Sequence, residues 1–366
     1  MFNVLICLKQ LDNINLAPML ERLYNHPKPQ QIHIITSSNN ANLILNLSQN
    51  IQEKIYIFDE DKIYKNLSLE VIQKYMESKN AAIWRSGWYL QQFLKMGYAT
   101  FANSNDKTSN ALLDMGGGGG LWGGGGGWGG GGDCCPIFTP YYLIWDADCI
   151  ALNDMMFFHH EKLQQEKPEN LTTYFAKHDY IHKPYFDTLK RLQIPIYKQD
   201  SISILMRAVD FSFIVEHMMI NNSIMCELIS RIEKTHNKLF FEAILESIDE
   251  CQLSASGFSE FETYGNFVAS QYGNQALYIT LRQDRAAKSI ISINPTHKQL
   301  EWYSKYYDTC CIETWIEESF IGKLTKYAIF RSISPYTWHK ILSAKRELNI
   351  FRKKLKAKLK NLVCKK

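Results

Sequence analysis

The sequence predicts an α/β fold, a mostly parallel sheet flanked by helices. Short apolar runs of strand length recur through the chain, separated by stretches of helical spacing. That alternation packs as a parallel sheet with helices on both faces. The composition, 46% hydrophobic and 21% charged over 366 residues, is that of a globular body able to bury a sizeable core. One run, Tyr141-Tyr142-Leu143-Ile144-Trp145, reads as a buried strand and stops abruptly at Asp146-Ala147-Asp148. It marks the carboxyl edge, where open sheets of this kind bind their ligands.

Taken in order, Asn3 to Leu8 is a first strand, Asn15 to Tyr24 a helix, and His26-Pro27-Lys28-Pro29 a break. Gln31 to Thr36 is a second strand, Asn40 to Leu47 a helix, and Lys54 to Phe58 a third strand ending in Asp59-Glu60-Asp61. Ile83 to Met96 has helical spacing that sets Trp84, Arg85, Trp88, Gln92 and Lys95 on or beside one face. Tryptophans so placed pack a core; Arg85 and Lys95 are the cations a diphosphate requires. Thr172 to Ala176 is a strand, Pro184 to Leu192 a helix, and Phe211 to Met219 an alternating stretch carrying Glu216 and His217. Leu239 to Ile248 is an amphipathic helix. Gly257 then opens a turn, and Ser259 caps a helix whose first turn holds Glu260 and Glu262. Ala276 to Leu281 and Thr309 to Trp315 are the remaining strands. From Trp338 on, Ile341, Leu342, Leu348, Phe351, Leu355, Leu359 and Leu362 form a helical stripe among lysines.

Two segments depart from globular composition. Fourteen of the twenty glycines fall in residues 116–132, interrupted by Leu121, Trp122 and Trp128. The run lacks the spacing of a phosphate-binding loop, so a flexible insertion is expected, either neutral or a lid over the active edge. The other is the tail. Residues 345–366 hold ten Lys or Arg against the single acid Glu347, a local +9 that leaves the rest at −5 within a net +4. A mildly acidic body with a basic tail is not the pattern of a nucleic-acid binder. It is that of an amphipathic helix lying on an anionic leaflet, where about 1 kcal/mol per basic residue gives reversible docking; a tail packed on the body is the plainer reading. The expected boundary is 1–335 for the body and 336–366 for the tail.

The nine cysteines include the adjacent pairs Cys134-Cys135 and Cys310-Cys311 and show no zinc spacing, so free thiols in a reducing cytosol are expected. The N-terminus lacks the charge and length of a signal peptide, and no run approaches the ~20 apolar residues of a membrane span. Cytoplasmic placement, peripheral on the inner membrane, is the expectation.

Two carboxylates spaced i, i+2 on a strand point to one face, and burying them together calls for a cation between them. Hard carboxylate oxygens suit Mn2+ or Mg2+. His217, near a strand end, is a candidate third ligand, although a lone histidine there is more often structural. Glu260 and Glu262 sit where a helix N-terminus favours the anion, as a general base requires.

Three segments occur in order: Arg85-Ser86-Gly87-Trp88-Tyr89-Leu90-Gln91-Gln92-Phe93-Leu94-Lys95, Tyr142-Leu143-Ile144-Trp145-Asp146-Ala147-Asp148, and Ser256-Gly257-Phe258-Ser259-Glu260-Phe261-Glu262-Thr263-Tyr264-Gly265-Asn266. They resemble a bacterial family of GT-A-like glycosyltransferases. The resemblance covers roughly Asn3 to Leu281; its first and third motifs are distinctive, and the glycine insertion departs from it. It implies a GT-A-like, Rossmann-like catalytic domain and a nucleotide-sugar donor. The acceptor would be a cell-surface glycan or glycolipid precursor, of lipopolysaccharide or capsule. It further implies Mn2+ or Mg2+ on Asp148 with Asp146 beside it. Donor contacts would then come from Arg85, Gln92, Lys95 and Asp146, and a base from Glu260 or Glu262. Two rivals stand beside this reading. A haloacid-dehalogenase-type phosphatase also places Asp-x-Asp after an apolar strand, and an inactive membrane-surface binding relative would keep the fold without the chemistry.

Overall fold

A computed structural model describes residues 1–9, 16–47, 49–104, 136–159, 167–194 and 209–363. The glycine-rich segment 116–132 lies outside the described residues, as do the side chains beyond residue 354. The chain begins with β1 (Asn3–Cys7), α1 (Leu16–Asn25), β2 (Ile32–Thr36), α2 (Ala41–Leu47), β3 (Ile55–Asp59) and α3 (Leu69–Ser78). It continues through α4 (Ser86–Asn103), β4 (Tyr141–Trp145), β5 (Cys149–Ala151), β6 (Thr173–Ala176), α5 (Lys183–Arg191), β7 (His217–Asn221) and α6 (Asn222–His236). Next come α7 (Phe240–Ser247), α8 (Glu250–Leu253), α9 (Glu260–Gln271), β8 (Ala276–Ile279) and β9 (Gln283–Asp284). The last elements are α10 (Lys288–Ile291), α11 (His297–Ser304), β10 (Thr309–Cys311), α12 (Phe320–Leu324) and α13 (Pro335–Val363).

The chain divides into two compact units. The first comprises Met1–Asp12, Leu16–Ala147 and Met155–Leu281. Its five-stranded sheet runs β3-β2-β1-β4-β7. The pairs β1–β2, β2–β3 and β1–β4 are parallel, and β7 closes one edge antiparallel to β4. The expected α/β architecture, a mostly parallel sheet flanked by helices, is what the chain adopts. Every residue of β1, β2, β4 and β7 is buried, which is why β1, β2 and β4 read as largely apolar runs. Within the alternating stretch from Phe211, strand structure begins only at His217, the first residue of β7. Ser212 instead makes an isolated bridge to His178. Helix α4 lies against α3, α6 and α9. Its Phe93 meets Phe240, Phe241 and Phe258 at ring separations of 6.1, 6.2 and 5.9 Å, the aromatic centre of the core. A separate parallel pair, β6–β8, completes this unit.

The second unit joins Asp148–Asp154 to Arg282–Lys366. Its sheet runs β5-β10-β9, with β10 antiparallel to β5 and parallel to β9. Cys149 and Cys311 face each other across β5 and β10 and form a disulfide. The expectation of free thiols is corrected here. The expectation rested on local spacing, but Cys311 bonds to a partner 162 residues away, a distance no local pattern reveals. Among the described residues, Cys7, Cys226, Cys251 and Cys310 are not in a disulfide. Helix α13 is fixed at its start by Trp338, which is buried and donates from Nε1 to the Phe330 carbonyl at 3.2 Å, and by His339, 2.7 Å from Asp284 Oδ2. Among the described residues no helix is long and apolar enough to cross a membrane.

Candidate functional site

The motifs from α4 and from the start of α9, with Asp146 beyond β4, meet within the first unit. Strand β4 closes at Trp145, and Asp146, Ala147 and Asp148 lie beyond it, leading into a turn. The expectation that both acids share one strand face is therefore corrected, because the strand has ended before either is reached. Asp146 stays tied to the sheet, its N–H donating to the Glu216 carbonyl at 2.9 Å. Asp148 belongs to the second unit, where its carbonyl accepts from Ile312 N–H at 2.7 Å.

Lys95 is the centre of the site. It sits on α4, only 3% exposed, and its Nζ donates to Asp146 Oδ1 at 2.5 Å and to Glu260 Oε1 at 2.8 Å. The ammonium also lies 4.9 Å from the centroid of Phe261. Tyr142 on β4 donates to the Lys95 carbonyl at 2.9 Å, fixing α4 against the strand that delivers Asp146. Burial disfavours the ammonium, but the two carboxylates outweigh it and hold Lys95 well above its ordinary range, protonated. The Glu260 carboxyl is pushed up by burial, with Lys95 opposing and Asp146 adding to the rise.

The surrounding polar groups explain how Glu260 is placed. Ser259 caps α9 by accepting from Glu262 N–H at 3.2 Å, so Glu260 opens the first turn. Gln92 Oε1 accepts from the Glu260 N–H at 3.2 Å. At the start of α4, Arg85 donates from Nε to the Ala255 carbonyl at 2.6 Å and from Nη2 to Ser256 Oγ at 2.7 Å. Its guanidinium stacks over Trp88 at 4.0 Å. From α5 and the segment just before it, His182 meets the Ser256 carbonyl at 2.9 Å and Thr188 donates to the Gly257 carbonyl at 2.7 Å. Lys95, Asp146, Glu260 and Gln92 thus form one connected network, with Arg85 fixing the turn that leads into it.

The other expected site residues are not part of that network. Glu262 points inward and is fully buried, accepting from Ser212 Oγ at 2.5 Å, Phe213 N–H at 3.1 Å and Asn266 Nδ2 at 2.7 Å. His217 stands opposite Trp145 and stacks on its indole at 4.7 Å, with Phe157 edge-on at 6.2 Å. Burial pushes its pKa down to about 4. Trp84, read from sequence as a core residue, is 75% exposed.

A resident Mn2+ or Mg2+ calls for several oxygen ligands converging on one point. In the first unit the side chains do not fit one, since Asp146 Oδ1 and Glu260 Oε1 are both directed at Lys95 and His217 is enclosed by aromatic rings. Among the described residues no three His, Cys, Asp or Glu side chains are grouped so as to hold a metal.

Two residues not among the expected site residues lie near the same sheet edge. Lys9 follows β1 and Glu60 follows β3, and both line a small crevice with Cys7, Ile35, Gly87 and Gln91. Gly87 of the first motif lies against the end of the Lys9 side chain.

No family model and no curated protein sequence matches the chain. Among solved structures it is similar to a complex of the galactosyltransferase LgtC with donor and acceptor sugar analogues, at 8% identity and TM-score 0.36, covering 93% of this chain and 99% of the other. It is also similar to an active-site mutant of LgtC, at 10% identity and TM-score 0.35, covering 92% and 99% of the two chains. A third is mouse xyloside xylosyltransferase 1 in its apo form, at 11% identity and TM-score 0.37, covering 86% and 99%.

Proposed function

We propose that the chain is a nucleotide-sugar-dependent glycosyltransferase of GT-A-like fold acting on a cell-surface glycan precursor. The observation that carries this reading is the network linking the first and third motifs to Asp146 through Lys95. Segments that resemble one transferase family are joined by hydrogen bonds at the carboxyl edge of a mostly parallel sheet, where such folds bind ligands. Asp146, with a partly exposed side chain, is the donor-facing acid. Glu260, whose carboxyl is raised by burial, is the group to take the acceptor hydroxyl's proton if the configuration inverts. Arg85 orders the Ala255–Ser256 turn ahead of Glu260, and Gln92 holds the Glu260 backbone. The C-terminal helix is the proposed contact with an anionic membrane surface, its exposed Ile341, Leu348 and Phe351 standing among Lys345, Arg346 and Arg352.

Turnover tests the reading. A panel of nucleotide sugars, with and without Mn2+, is incubated with the protein and glycan acceptors, and released nucleoside diphosphate is measured. At least one donor should be consumed, and Glu260→Gln should lower kcat by about 100-fold or more, the range for loss of a general base. Consumption that Glu260→Gln leaves intact contradicts the assignment of the base.

A further inference from the structure

An aspartate at the end of a buried strand was expected to need a divalent ion, because no Lys or Arg adjoins it in sequence. The fold supplies a cation from 51 residues away. Lys95 reaches Asp146 and Glu260 together, and the fold tolerates its burial because each charge is paired and hydrogen-bonded. Three independent features fix it there: the Tyr142 bond to its carbonyl, the Phe261 ring beside its ammonium, and the Gln92 bond that holds the Glu260 backbone.

We propose that Lys95 is the resident cation of this site. It neutralises Asp146 from inside the protein, and it holds Asp146 and Glu260 as one ordered unit in place of a metal ion. Lys95 is on this view a positioning residue and not a ligand of the donor's diphosphate, because its charge is already committed to two acids. The inference deepens the transferase reading and concerns the same site. It implies that any divalent ion arriving with a donor's phosphates does not depend on Asp146.

The test is Mn2+ binding to the full-length, nucleotide-free protein, followed by loss of the free-ion signal in electron paramagnetic resonance. Asp146→Asn should leave Mn2+ affinity within about twofold of wild type, whereas loss of a true ligand or its support costs roughly 10–100-fold. Lys95→Met frees two adjacent carboxylates and should gain a Mn2+ site at least about tenfold tighter, a gain removed by adding Asp146→Asn and not produced by Lys95→Arg. A tenfold or greater loss in Asp146→Asn alone overturns the proposal, and so does a folded Lys95→Met protein that gains no Mn2+. If Lys95→Met does not fold, the Asp146→Asn comparison still decides. Because no nucleotide is present, failure of the transferase reading leaves this result unaffected.

Discussion

A buried charge is stable only with its partners in place, and Lys95 makes the energetic stakes of this site explicit. Removing one member of such a network typically costs about 3–5 kcal/mol, because the remaining charges stay buried and unpaired. His217 is the complementary case, a buried base kept neutral. Burial lowers its pKa to about 4, and that of His33 to about 3. A base whose folded pKa lies below its unfolded value near 6.5 contributes stability that is complete above that pH. The contribution drains away as pH falls towards the folded value, because the unfolded chain takes up the proton first. For His217 the full contribution is on the order of 3 kcal/mol. His217→Phe keeps the stack on Trp145 and removes the titration. Urea denaturation should therefore show a smaller loss of stability between pH 6.5 and 4 in the variant. An unchanged slope would mean that His217 is not held neutral. The same residue scale shows why the two glutamates differ: Glu262 satisfies a buried turn around Ser212, while Glu260 reaches the network.

At the scale of elements, α4 and α9 carry the site, and their packing depends on small residues. A Cβ added at Gly265 in α9 would fall into the ring of Phe213. Gly265→Ala should destabilise the protein by about 1–3 kcal/mol through overpacking, read as a lowered midpoint in chemical denaturation. A neutral effect would show that Phe213 moves aside freely. The elements themselves were largely legible. Strands β1 to β4 stand out because burial on both faces demands unbroken apolar runs, and Ser259 announces α9 because capping has a side-chain signature. What the pattern could not give is pairing at long range. Nothing near Lys95 names Asp146, and nothing near Cys149 names Cys311, since both contacts are made by topology. The run Tyr141–Trp145 marked β4 to the residue; what failed was the same-face rule for acids spaced i, i+2, which holds only inside a strand, and both acids lie past its end. The regions beyond β7 that lacked strong periodicity, including α10 and α12, were also not read from sequence.

The whole molecule is electrically lopsided. Residues 320–366 contain fourteen Lys or Arg and one acid, Glu347, so the remainder of the chain is acidic. The same segment exposes Phe320, Tyr327, Ile329, Tyr336 and Phe351. Basic charge with exposed aromatic and aliphatic side chains fits attraction to an anionic leaflet followed by shallow insertion. Flotation should bring the full chain up with vesicles rich in phosphatidylglycerol and not with phosphatidylcholine alone. Binding should fall steeply when Arg352, Lys353 and Lys354 are changed to Glu, and equal binding to both vesicle types would contradict the proposal. The proposed activity depends on donor recognition by the network around Lys95. Isothermal titration of nucleoside diphosphates and their sugar conjugates into the full-length protein measures that most directly. At least one of them should bind saturably, about tenfold or more weakly in Asp146→Asn, as expected when a site loses a charged hydrogen bond; no binding by any member of the panel, with or without Mn2+, would contradict the transferase proposal.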